Sequence, residues 1–104
     1  MPYNACVLIR FANRTLEECA TDLRRAVREW GPLVGDRYPQ RLTIISSVPN
    51  FEALYAYRML RLHKLSGDRQ ERYAVALHDR WRLILRKISE TEVLVEEVSN
   101  HYGD

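Results

Sequence analysis

Arg69, Arg82 and His101 are among the residues of this chain whose types could do chemistry, and phosphodiester cleavage is one chemistry they could serve. Breaking RNA without a metal ion takes a base for the 2′-hydroxyl proton, cations for the charge on the phosphorane, and an acid for the leaving 5′-oxygen. Arginine grips a phosphate with two parallel donors, which lysine cannot do. An imidazole titrates near neutral pH and can serve as base or acid. Such groups are typically worth roughly 10²–10³ in rate each. Lys64, Arg69, Arg72, Arg80, Arg86 and Tyr102 are candidate contacts to an RNA strand. Tyr73, Trp81 and Tyr102 have the rings to stack an unpaired base, for about 1–3 kcal/mol each.

Most of these residues lie in one block. From Arg61 to Lys87 the chain holds eight Lys and Arg against three acidic residues, a net charge of +5. From Ile88 to Asp104 it has no Lys or Arg and five acidic residues, a net charge of −5. The whole-chain charge of +2 hides this division. A basic block threaded with strand-forming residues suits a polyanion. Each residue also has an ordinary reading: a strand arginine is commonly solvated or paired across strands, and Trp81 and Tyr73 fit a core. His63, His78 and His101 show no ligand spacing within one element, so no metal is expected. Neither a Ser-His-Asp arrangement nor a P-loop is present.

A chain of 104 residues implies one domain, 1–104, able to bury a modest core. Apolar residues make up 46% and charged residues 29%, ordinary for a globular protein. Cys6 and Cys19 are too few for a disulfide framework and are expected to be buried thiols. The start, MPYNACVLIRF, has neither the basic region nor the apolar core of a signal peptide. No apolar run approaches a membrane span, so a cytoplasmic location without membrane attachment is the expectation.

The elements that must position the candidates follow from periodicity. Ala5–Phe11 reads as a strand with Val7, Ile9 and Phe11 on one face. Thr15-Leu16-Glu17-Glu18 reads as a capping box opening one helix to Trp30, with Leu16, Cys19, Ala20, Leu23, Val27 and Trp30 inward and Arg24, Arg25 and Arg28 outward. Gly31-Pro32 stops it. Leu42, Ile45 and Val48 predict a second helix, Pro39–Val48, despite the β-branched residues there; an earlier start with a kink at Pro39 is the variant. Phe51–Tyr57 is expected to form a helical turn that buries Phe51, Leu54 and Tyr55. From Leu62 the period is two. Strands Leu62–Leu65, Tyr73–His78, Trp81–Ile88 and Val93–Val98 are joined at Ser66-Gly67-Asp68, Asp79-Arg80 and Ser89–Glu92. Strand, two helices and a four-strand antiparallel meander make an α+β two-layer domain. The alternation sets Trp81, Leu83 and Leu85 against Arg82, Ile84 and Arg86.

The segment LHKLSGDRQERYAVALHDRWRLILRK, with VEEVSNHYG after it, resembles the C-terminal half of the HigB toxins of the RelE superfamily, the plasmid maintenance system killer proteins. Their pattern reads L-x-x-L-[KS]-G-[DN]-R-x-G-x-[YWH]-S-[IV]-x-[IL]-x-x-x-W-R-[IL]-x-F and ends V-E-I-V-D-Y-H. The opening FANRTLEE, with a helix ending at Trp30-Gly31, is similar to the amino end of one branch. The resemblance implies a RelE-like fold and a metal-independent, ribosome-dependent mRNA endonuclease without a cofactor. It implies a helix-turn-helix antitoxin of the HigA type as partner, and operator DNA bound only through the antitoxin complex. Arg82 then matches the arginine that contacts the scissile phosphate, His101 the terminal histidine, and Gly67-Asp68-Arg69 the G-[DN]-R loop. The chain departs from the pattern at Ser99-Asn100, where the family has Asp-Tyr, at Glu71 in place of glycine, at Leu85 in place of the aromatic, and at Ala74 and Ala76, where RelE carries lysines. The departures support an alternative: a weak or inactive member acting as an antitoxin-binding, operator-regulating module.

Overall fold

The computed structural model describes residues 6–67 and 71–100. Three α-helices and a five-stranded mixed sheet give an α+β domain. Strand β1, Leu8–Phe11, is followed by helices α1 (Arg14–Thr21), α2 (Leu23–Trp30) and α3 (Pro32–Ser47). Two 3₁₀ segments, Phe51–Ala56 and Arg58–Leu60, lead to β2 (His63–Lys64), β3 (Arg72–His78), β4 (Trp81–Ser89) and β5 (Glu92–Ser99). The sheet order is β1-β5-β4-β3-β2. β2 to β5 form the expected antiparallel meander. β1 joins it parallel to β5, Ile9 beside Val93 and Phe11 beside Val95, which makes the sheet mixed.

The helical region differs most from expectation. Asn13 caps α1, its side chain accepting from the Leu16 amide at 2.9 Å, so the helix opens two residues before the Thr15 box. The single helix to Trp30 is two helices. Asp22 is extended, takes up the Glu18 carbonyl with its own N–H, and accepts from the Arg25 amide at 3.1 Å. A short carboxylate that can cap locally competes with helix continuation, and here it wins. The break resets the inward face: Ala26 becomes fully buried while Leu23 is left 50% exposed.

Gly31 both ends α2 and opens α3, with φ of 89°, a value that favours glycine. Pro32 occupies the first helical position, where its missing N–H costs nothing. The second helix therefore begins at Pro32 rather than Pro39, and Pro39 lies inside it. Leu42, Ile45 and Val48 are buried as their spacing requires. Tyr38 is buried too: its hydroxyl donates to the Leu16 carbonyl at 2.8 Å, and its ring meets Trp30 edge-on at 4.8 Å. Burial pushes the Tyr38 phenol pKa up.

Phe51 and Leu54 enter the core, but Tyr55 is 49% exposed. The segment is 3₁₀, so residues three apart eclipse and Tyr55 falls on the next face. Phe51 packs edge-on against Tyr73 at 4.8 Å, which places Tyr73 in the core. Cys19 is buried, and burial is the main cause raising its thiol pKa; Cys6 is exposed, against expectation. No described helix is long and apolar enough to cross a membrane.

The helices cover the sheet face that carries Val75, Leu77, Leu83, Leu85, Val93 and Val95, all buried. α2 and α3 approach closely at Gly35: a Cβ there would lie 2.6 Å from the Val27 Cα and N. Gly35→Ala gains about 1 kcal/mol of helix propensity. It also forces two backbones apart, and overpacking of that kind costs roughly 1–3 kcal/mol. Because the obstructing atoms are backbone, the clash prevails, and Gly35→Ala lowers stability by about 1–2 kcal/mol. Urea denaturation reads this as a lower midpoint; a raised midpoint would show that the helices separate freely.

Candidate functional site

β4 presents the candidate residues because it is paired on both edges. Arg72 lies opposite Arg86, Ala74 opposite Ile84, and Ala76 opposite Arg82 on β3. On the other edge Arg86 faces Leu94, Ile84 faces Glu97, and Arg82 faces Ser99. One sheet face thus carries two basic rows separated by a row of Ala74, Ile84 and Glu97, with Ala74 and Ile84 fully buried. Four residues of strand hold Arg82 and Arg86 about 13 Å apart.

The lower row is internally paired. The Arg86 Nε and Nη2 both donate to one Glu96 carboxylate oxygen, at 2.9 and 2.6 Å, and the Arg72 Nη1 lies 3.5 Å from the other. Lys64 is bonded to Glu71 at 2.8 Å. These candidate RNA contacts therefore hold carboxylates of their own chain. Arg80 is exposed in the hairpin turn. Trp81 is partly buried and packs against the core. Arg69, His101 and Tyr102 lie outside the described residues.

The upper row is different. Arg82 is only 6% exposed. Its Nη1 donates to the Asp79 carbonyl at 2.7 Å and the Trp81 carbonyl at 3.0 Å, so the guanidinium closes back over the hairpin. The turn is two residues long, Asp79 taking φ of 55°, a left-handed conformation that aspartate tolerates better than most. Beside it lies a cleft of about 260 Å³ lined by Arg37 and Arg41 of α3, Arg61, His78, Asp79 and Arg82. Among the described residues that line it, only Asp79 is acidic.

Neither periodicity nor the resemblance selects Arg37, Arg41, Arg61 or His78. Arg61 is one of eight basic residues in the block, and His78 lacks a metal-ligand spacing. Arg37 precedes the helix start expected at Pro39. With α3 beginning at Pro32, Arg37 and Arg41 are four apart on one helix face, the signal that would have paired them. Among the described residues, no group of three His, Cys, Asp or Glu is placed to hold a metal ion.

The geometry makes Glu96 the control on the lower row. Glu96→Gln leaves Arg72 and Arg86 facing a neutral amide. Stability is expected to fall by about 1 kcal/mol, since Arg86 is partly solvated and the pair is screened. Affinity for single-stranded RNA is expected to rise, with a steeper dependence on salt as the carboxylate that competes with phosphates for Arg72 and Arg86 is removed. Unfolding and filter binding across a salt series check both; an unchanged salt slope excludes Arg72 and Arg86 as RNA contacts.

Compared with models of known protein families and with curated proteins, the chain matches none.

Proposed function

We propose that this chain is the toxin of a type II toxin–antitoxin pair, a cytoplasmic, metal-independent endoribonuclease with a RelE-like fold that cuts mRNA on the ribosome. The observation that carries the reading is the convergence of Arg82 with three more arginines and His78 on one cleft, whose described lining residues include one carboxylate, Asp79. Guanidinium groups clustered in one cleft favour the binding of an anion. Arg82 is the residue that the HigB resemblance selects independently, as the arginine of the W-R-[IL] strand. The element order, one strand and then helices and then a four-strand meander, supports the RelE-like arrangement. The partners of this reading are a helix-turn-helix antitoxin of the HigA type, through which operator DNA is bound, and the ribosome with its message.

In the reaction, Arg82 and Arg69 bind the scissile phosphate and stabilise the charge that grows on its non-bridging oxygens. One imidazole takes the 2′-hydroxyl proton or gives a proton to the 5′-oxygen. His101 holds that role by resemblance, and His78 is the imidazole at the cleft.

The second reading, a binding module that holds an antitoxin and does not cut, draws on two observations. Glu96 neutralises Arg72 and Arg86 within the chain. Ser99-Asn100 stands where the family has Asp-Tyr.

Expression without an antitoxin is expected to arrest growth and fragment transcripts. Arg82→Ala should slow cleavage by roughly 10²–10³, the scale of losing one charge-stabilising donor. Arg82→Lys, which can still reach the hairpin carbonyls, separates loss of chemistry from loss of fold when circular dichroism is recorded alongside. His78→Ala and His101→Ala, compared by their pH–rate profiles, identify which imidazole moves the proton. Harmless wild-type expression with intact transcripts would falsify the endonuclease reading and leave the binding module.

A further inference from the structure

We propose that Arg37, Arg41 and Arg61 form, together with Arg82, a site for one phosphate group in the cleft at the β3–β4 hairpin. The proposal deepens the reading above, on which it rests for the source of the phosphate, a strand of RNA.

The ladder between β3 and β4 shifts register between Ala76 and His78, and Leu77 is the extra residue. A bulge of this kind turns main-chain groups away from the partner strand. α3 meets them: the Arg37 Nη1 donates to the Leu77 carbonyl at 2.8 Å, and the Arg41 Nε to the Ala76 carbonyl at 3.0 Å. Ala76 is also the cross-strand partner of Arg82, so three guanidinium-bearing residues are tied to one short stretch of main chain. Arg61 comes from a different direction, from the end of the second 3₁₀ segment, where its backbone is left-handed at φ of 47°.

A guanidinium has five N–H groups in a planar fork. The carbonyls engage one each on Arg37 and Arg41, leaving the remainder of each fork to a ligand that bonds bidentately, as phosphate does. The electrostatics favour an anion. Among the described residues, four arginines and one carboxylate, Asp79, line the cleft. Arg41 is 9% exposed and bonded to a neutral carbonyl. Its pKa is lowered by burial first and by the Arg37 charge second. A phosphate brings the negative charge that relieves both.

The bland alternative is that Arg37 and Arg41 only clamp α3 to the bulge. A clamp needs one donor from each residue and no net charge. It gives no place to Arg61, which is exposed and comes from another element.

The test titrates the full chain with inorganic phosphate against chloride at equal ionic strength, following thermal unfolding and amide NMR shifts. Phosphate is expected to raise Tm above the chloride value and to shift amides around Ala76–Asp79. Arg37→Gln with Arg61→Gln is expected to weaken phosphate binding at least tenfold. Arg61→Gln alone, at an exposed position outside the clamp, is expected to weaken it measurably with the unliganded Tm unchanged. Equal responses to phosphate and chloride, or a variant that lowers Tm yet binds phosphate as before, overturn the site in favour of the clamp. A tetrauridylate strand is then added. Competition with phosphate assigns the cleft to the RNA backbone. Phosphate binding without competition keeps the site with free phosphate as its source and overturns the RNA reading.

Discussion

β4 runs between β3 and β5, and its backbone is committed on both edges. Leu83 and Leu85 pack under the helices, in the middle of the buried sheet face that Val75, Leu77, Val93 and Val95 complete. With a side-chain period of two, that packing sends Arg82, Ile84 and Arg86 to the opposite face. A slip of one residue would bury two arginines among leucines, so the register is held by the large cost of burying unpaired charge. The placement of Arg82 and Arg86 follows from this strand. The hairpin turn sets where Arg82 closes back, the bulge at Leu77 sets which carbonyls α3 reaches, and the four-residue spacing keeps the two basic rows apart.

Those two rows handle charge in different ways. At one end the acidic C-terminal segment supplies Glu96, which lies between Arg72 and Arg86. Glu71 and Glu90 do the same for Lys64 and Lys87. Lys87 also lies 5.1 Å from the centre of the Phe51 ring, and Glu90 accepts from the Glu52 amide, so that pair ties the first 3₁₀ segment to the β4–β5 turn. Lys87 and then the Glu52 amide hold the Glu90 carboxyl below its ordinary pKa. Much of the +5 block is therefore spent inside the fold. Arg61 and Arg82 of the block line the hairpin cleft instead, and the other two of its arginines, Arg37 and Arg41, come from a helix outside the block.

The alternating segments were the most legible part of the chain. Tyr73–His78 and Trp81–Ile88 differ from the observed strands by one residue each, and Asp79-Arg80 is the turn. The helical half was less legible. Asp22 looks like any exposed helix residue until its carboxylate caps a second helix, and apolar periodicity alone passes straight through it. Pro39 marked a helix start by propensity, yet the chain tolerates it in mid-helix because α3 is held by Tyr38, Leu42 and Ile45. Tertiary burial outweighs the roughly 3 kcal/mol that a mid-helix proline forfeits. Arg82 was legible by strand phase and by resemblance, whereas its companions were not.

The sequence by itself determined the class of fold, the face on which Arg82 and Arg86 sit, and the sign of the charge they present. These depend on local periodicity and composition, which neighbouring residues carry whatever the rest of the chain does. Only the tertiary structure decided which cations meet. Arg37, Arg41, Arg61 and Arg82 span 46 positions of the chain and belong to a helix, a 3₁₀ end and a strand. They are brought together by a register shift at Leu77 and by the docking of α3 on β3. Docking depends on which surfaces exclude water together, and no spacing within one segment encodes it.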